Sequence, residues 1–146
     1  MVKEAEIAEL AGGIALVIRA LLVAGRKGQP AEGKMPFNPL YFNMLRTLDE
    51  GPTRPTHMGQ KLGVSKTTLS AAVKALEKRG LLQRAPDPDD GRAQVLSVTD
   101  EGRDVITAIK RQDKRNAAAM LAVLEPGETA AFASAFRRIG EALDTQ

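Results

Sequence analysis

The sequence predicts a mainly α-helical fold with one small β-hairpin, in the order α-α-α-α-β-β-α-α. Three observations predict it. Between Pro55 and Gly102 the chain reads helix, tight turn, helix, then a charged hairpin. Gly63-Val64-Ser65 makes the turn and a helix cap, and Gly80 stops the helix that follows. On either side of this block, apolar residues recur at helical spacing. A helix-turn-helix followed by a hairpin is a winged helix, here with helices added before and after it.

The elements follow in order. Ile7, Leu10, Ile14, Val17, Ile18 and Leu21 place one helix over Lys3 to Ala24. Its apolar face is wide, broadened by Leu16, Leu22 and Val23, and such a helix wants burial on more than one side. Gly12-Gly13 within it reads as a packing feature. Gly25 to Pro36, rich in Gly, Pro and charge, reads as a loop. Asn38-Pro39 is a cap with a first-turn proline. The helix it opens turns Tyr41, Met44, Leu45 and Leu48 inward and ends near Gly51-Pro52. A short helix from Pro55 to Leu62 carries Met58 and Leu62 on one face. Gly59 lies on that side, where a side chain is expected to block the next helix. Ser65 to Arg79 is amphipathic, with Leu69, Val73 and Leu76 inward. Leu81 to Val98 forms two short strands around Pro86-Asp87-Pro88-Asp89-Asp90-Gly91-Arg92. Asp100 is expected to cap a helix from Glu101 to Leu124, striped by Val105, Ile109, Ala117, Met120 and Leu124. Pro126 is expected to begin a last helix, with Phe132, Phe136, Ile139 and Leu143 on one face.

At 146 residues the chain is one domain, or a small domain with helical extensions. With no cysteine there is no disulfide, thiolate metal site or thiol switch, and a lone His57 argues against a histidine zinc site. Charge is unevenly spread. Residues 54–84 hold seven Lys and Arg against Glu77 alone, while the whole chain is only +3. Positive charge gathered on one motif is what phosphate attraction requires. The apolar stretch Leu10 to Ala24 is interrupted by Arg19 and led by Glu4, Glu6 and Glu9, unlike a signal peptide. It reads as too short for a membrane span. A cytoplasmic protein with no membrane partner is expected.

On the outward side of the helix from Ser65 lie Lys66, Thr67, Ser70, Ala71 and Lys74, with Thr68 beside them and no acid before Glu77. Small, hydroxylic and basic residues suit a helix lying in the major groove of double-stranded DNA. Ser65, as N-cap, leaves the helix start free to donate N–H groups to a phosphate. At the hairpin tip, Arg92 can reach a minor groove. Asp90 is expected to hold a neighbouring arginine and so shape the tip.

These residues resemble the multiple-antibiotic-resistance regulator (MarR) family. The matching text is Leu62-Gly63-Val64-Ser65-Lys66-Thr67-Thr68-Leu69-Ser70, then Leu76-Glu77-Lys78-Arg79-Gly80-Leu81-Leu82 with Arg84, then Asp90-Gly91-Arg92, then Val98-Thr99-Asp100-Glu101-Gly102. Motif-level similarity covers Leu45 to Gly102, and the element order fits nearly the whole chain. The resemblance implies one domain over 1–146. Within it, 37–100 is the DNA-binding lobe, and 3–25 and 101–144 are helices that interlock with a second copy. It implies a homodimeric transcription regulator, usually a repressor, on an inverted repeat. In many members a small aromatic or phenolic ligand releases DNA. The DNA-binding residues it implies are Ser65, Lys66, Thr67, Thr68, Ser70, Ala71, Lys74, Arg84, Asp90 and Arg92. Ala71 and Ala75 stand where members often carry arginine. The peroxide-sensing cysteine and the zinc-sensing histidines of some members have no counterpart.

An enzyme is the first competing reading. No cysteine nucleophile and no glycine-rich phosphate loop is present, and His57 could pair with a serine but lone histidines rarely catalyse without an orienting partner, so no catalytic residue, metal or cofactor is expected. A winged helix used only for protein contacts is the second, and the basic segment argues against it.

Overall fold

The computed structural model describes residues 1–28 and 35–145. Its elements are α1 (Glu4–Gly28), α2 (Pro39–Asp49), α3 (Pro55–Leu62), α4 (Lys66–Lys78), β1 (Leu82–Pro86), β2 (Gln94–Val98), α5 (Asp100–Leu121) and α6 (Thr129–Asp144). The expected order of helices and hairpin is the observed one. The chain divides into two compact units, Met1–Gln112 and Asp113–Gln146, with the division inside α5.

The core lies in the first unit. α2 contributes Phe42, Met44, Leu45 and Leu48, and α3 contributes Met58. α4 adds Leu69, Ala72, Val73 and Leu76. The hairpin closes the core with Leu82, Leu96 and Val98, and the first turns of α5 seal it with Val105, Ile106 and Ile109. Phe42 takes the buried place expected for Tyr41, which is only partly covered. Burying ten or more such side chains at about 1.5–3 kcal/mol each is what holds three short helices that would be marginal alone.

Local chemistry sets the ends. Asn38 Oδ1 accepts from the N–H groups of Leu40 (2.9 Å) and Tyr41 (3.3 Å), and Pro39 occupies the first turn of α2. Gly63, in the left-handed region at φ 64°, ends α3. Ser65 Oγ then caps α4 by accepting from Thr68 N at 3.1 Å.

β1 and β2 pair antiparallel from Leu82 with Val98 to Pro86 with Gln94. Thr53 adds a bridge on the other edge of β2, with Thr53 N donating to Leu96 O at 3.0 Å and Leu96 N to Thr53 O at 2.8 Å. That third segment was not legible in Gly51-Pro52-Thr53.

Several boundaries differ from expectation. α1 runs on through Gly25, whose Cα faces the Phe37 ring so closely that an added Cβ would lie 2.2 Å from it. The helix therefore replaces the first part of the expected loop, and residues 29–34 of that loop lie outside the described residues. At this length α1 is long and apolar enough to cross a membrane, with a mean hydropathy of 2.1 in its most apolar window, so the reading of a stretch too short to span is corrected. Among the described residues nothing lies within 4 Å of a Cβ added at Gly12 or Gly13, so the expected packing at these glycines is not found there.

Thr99, not Asp100, caps α5: its Oγ1 accepts from Gly102 N at 3.0 Å and donates to Gly80 O at 2.5 Å. Two good caps stand side by side, and the second bond to Gly80 decides between them. α5 ends at Leu121, not Leu124. α6 starts at Thr129 because Gly127 takes φ 97°, which breaks any helix begun at Pro126.

Two glycines give opposite expectations. A Cβ at Gly102 would lie 2.1 Å from Leu81 O and 2.5 Å from Val98 Cγ2. Backbone cannot step aside, so Gly102→Ala should destabilise by about 1–3 kcal/mol or more. A Cβ at Gly59 would meet Leu69 Cδ2 and Val64 O at 3.5 Å, an ordinary contact, so the expected blockade there is not found. Gly59→Ala should be neutral or gain up to about 1 kcal/mol from helix propensity. Urea unfolding of the two variants checks both signs; equal effects would contradict the packing described.

Candidate nucleic-acid interface

The first unit presents α4 and the hairpin as its charged side. Leu69, Ala72, Val73 and Leu76 turn into the core, which leaves the opposite face of α4 to solvent. Ser65, Lys66, Thr67, Thr68, Ser70, Ala71 and Lys74 are all exposed. Lys66, Thr67, Ser70, Ala71 and Lys74 line one open hollow of about 430 Å³. The residues singled out for this helix are thus brought together. Among the described residues Lys66 and Lys74 enter no ion pair. Thr68 is a partial exception to the group: its Oγ1 accepts from Ser65 Oγ at 2.9 Å, so its hydroxyl is tied to the cap.

The hairpin residues divide. Arg84 Nε lies 3.0 Å from Glu77 Oε1, so this arginine links β1 to the end of α4. Arg92 is exposed at the tip and enters no ion pair among the described residues. Among the described residues Asp90 holds no arginine side chain. Its Oδ1 accepts from the backbone N–H of Arg92 at 3.1 Å, and its carbonyl from Ala93 N at 2.9 Å. The expected role belongs to Asp87, whose Oδ2 pairs with Arg54 Nε at 2.6 Å.

Asp87 and Arg54 are the functional-side residues that sequence reasoning missed. Asp87 is only 8% exposed, and its Oδ1 accepts from Asp89 N at 2.9 Å. The Asp89 N–H first, and the Arg54 guanidinium second, hold its carboxyl below the ordinary range, against the effect of burial. Arg54 is pushed upward, chiefly by its hydrogen bond to Asp87. The available signal was Asp87 set between Pro86 and Pro88, but its partner lies 33 residues earlier. Both line a cleft of about 570 Å³ between the end of α2, α3 and the hairpin, together with His57 and Lys61.

No group of three or more His, Asp or Glu among the described residues could hold a metal ion. The arrangement offers no nucleophile with a base. It offers a convex helix bearing hydroxyls and cations, with an arginine-tipped hairpin beside it, which is the geometry of a winged helix-turn-helix.

Comparison with known proteins agrees. The MarR family model matches residues 36–93. The helix-turn-helix-type transcriptional regulator YxaD of Bacillus subtilis is 30% identical over 102 residues, covering 69% of this chain and 71% of YxaD. A MarR family protein of Bacillus stearothermophilus has the same fold, with a TM-score of 0.79 over 98% of this chain and 99% of that one at 21% identity. The PcaV transcriptional regulator of Streptomyces coelicolor, solved in complex with its natural ligand, is 26% identical, with a TM-score of 0.63 over 98% of both chains. The chain belongs to the MarR family. It is a transcription regulator with a DNA-binding fold, and not an enzyme.

The Asp87 shift gives a signed expectation. A carboxyl whose folded value is depressed stabilises the fold fully above its unfolded value, and that contribution is lost as pH falls through the folded one. The stability difference between the parent and Asp87→Asn should be constant above about pH 5 and shrink below about pH 4. Thermal midpoints from pH 7 to 2.5 check this. A difference that stays constant down to pH 2.5 would contradict it.

Proposed function

We propose that the protein is a ligand-responsive repressor that binds an inverted-repeat operator as a homodimer in the cytoplasm. Residues 37–100 form the DNA-binding lobe, and 3–25 and 101–144 the dimerisation helices. Ser65, Lys66, Thr67, Thr68, Ser70, Ala71 and Lys74 face the major groove of double-stranded DNA, while Arg84, Asp90 and Arg92 serve the wing. The observation that carries this reading is the outward face of α4, which is acid-free from Lys66 to Leu76 while its inward face is locked in the core.

Support for the dimer comes from uncovered apolar surface. In α1, Ile7, Leu10, Ile14, Leu16 and Ile18 are about half exposed or more. In α6 no residue is buried, and Phe136, Ile139 and Leu143 stand open. A second copy would cover such stripes. It also gives α1 an apolar partner other than lipid. The effector is a small molecule, aromatic or phenolic as the family resemblance implies; that PcaV was solved with its natural ligand supports ligand binding, not the ligand's chemistry.

Specificity should be spread thinly. Short hydroxyls discriminate bases less sharply than a bidentate arginine, and Ala71 offers only a methyl contact. Each wrong base pair should cost toward the low end of about 1–3 kcal/mol.

Selection of bound duplexes from a random pool, repeated for variants, tests this. Thr67→Ala and Ser70→Ala should shift the preferred sequence modestly. Lys74→Ala should weaken binding to all sequences. Arg92→Ala should weaken binding and lower the log–log salt slope by about one. Variants that all keep the parent's preference and affinity would remove this face of α4 and the wing from the interface.

A further inference from the structure

The wing is held to the rest of the lobe from two directions, and the second has no counterpart in the hairpin itself. β1 and β2 carry only five residue pairs, and a two-stranded hairpin of that size is marginal alone. Thr53 ties the base through its two backbone bonds with Leu96. The next residue, Arg54, is the N-cap of α3, and its Nε reaches Asp87 at the start of the tip. The same carboxylate takes the Asp89 N–H on its other oxygen, while Asp87 N donates to Ala93 O at 2.9 Å. One buried side chain therefore shapes the turn and fastens it to the first helix of the helix-turn-helix. Arg92 follows five residues later on that turn.

We propose that Arg54 and Asp87 are positioning residues for DNA recognition: their ion pair fixes the wing tip, and with it Arg92, relative to α3 and α4. The proposal rests on the DNA-binding reading above. A long arginine on a loose tip loses more conformational freedom on binding than one on a tip already ordered, so fixing the tip strengthens the contact without adding to it. An acid on a DNA-facing lobe repels phosphate, and Asp87 is kept there because its charge is engaged by Arg54 and two backbone groups.

The sign of one substitution separates positioning from direct contact. Asp87→Asn removes a negative charge, so Coulomb attraction alone would tighten binding to DNA. Positioning requires the opposite. Asparagine can still accept the Asp89 N–H, so the turn survives while the ion pair does not.

The experiment uses the full chain and a duplex that the unmodified protein retains from the random pool. Asp87→Asn and Arg54→Ala should each weaken binding about five- to tenfold, and the double variant should be no worse than the weaker single. Arg92→Ala should cost less in the Asp87→Asn background than in the parent, because the arginine it removes is already misplaced. Without DNA, amide exchange at Asp89, Arg92 and Ala93 should quicken in both single variants. Asp87→Asn binding as tightly as the parent, or an undiminished Arg92→Ala effect in its background, overturns the proposal. Failure of the unmodified protein to retain any duplex overturns the DNA reading itself, which the wing exchange rates, read without DNA, keep distinct.

Discussion

The inward face of α4 is the constraint on which the rest depends. Leu69, Ala72, Val73 and Leu76 are buried on the side of α4 that packs on α2, α3 and β1, and their spacing uses one side of the helix completely. Once those four are locked, the helix cannot rotate, and Lys66, Thr67, Ser70, Ala71 and Lys74 have no direction left but outward. A contact surface made of short side chains is precise only when its backbone is fixed, since such side chains cannot reach to correct an error. On the proposed DNA-binding reading, the core therefore serves recognition as well as stability.

The wing depends on the same core through a narrow junction. Leu81 and Leu82 enter it, Thr99 bonds to Gly80 O and Gly102 N, and Gly102 lies under the Leu81 carbonyl. This brings the end of α4, the base of the hairpin and the start of α5 into backbone contact. Arg84 with Glu77 ties β1 to α4, and Arg54 with Asp87 ties the tip to α3. Together with the Thr53–Leu96 bridge, these ties make the orientation of the small hairpin a property of the fold.

What was legible in the sequence was local. The turn at Gly63, the cap at Ser65, the stripe of α4 and the hairpin between Leu82 and Val98 all follow from residues within one or two turns of each other, and all are found. What was not legible depends on distant partners. Asp90 and Asp87 look alike as wing acids, and only Arg54, far back in the chain, selects between them. Thr99 and Asp100 look alike as caps, and only Gly80 selects. Gly59 reads as required by helix approach, yet the 3.5 Å gap to Leu69 and Val64 admits a methyl group. The exposed stripes of α1 and α6 were legible as surplus apolar surface, and among the described residues they stay exposed.

Hydroxyl-radical footprinting of the protein on its selected duplex tests the account most directly. Run beside protection of guanine N7 from methylation, which reports the major groove, it shows the reading helix, the wing and the two-fold relation. Two symmetry-related sets of protections are expected, with centres about 10 base pairs apart or a multiple of that. Each should hold a major-groove patch and a flanking minor-groove patch, and Arg92→Ala should erase only the flanking ones. A single unpaired patch, or flanks that persist without Arg92, would contradict it.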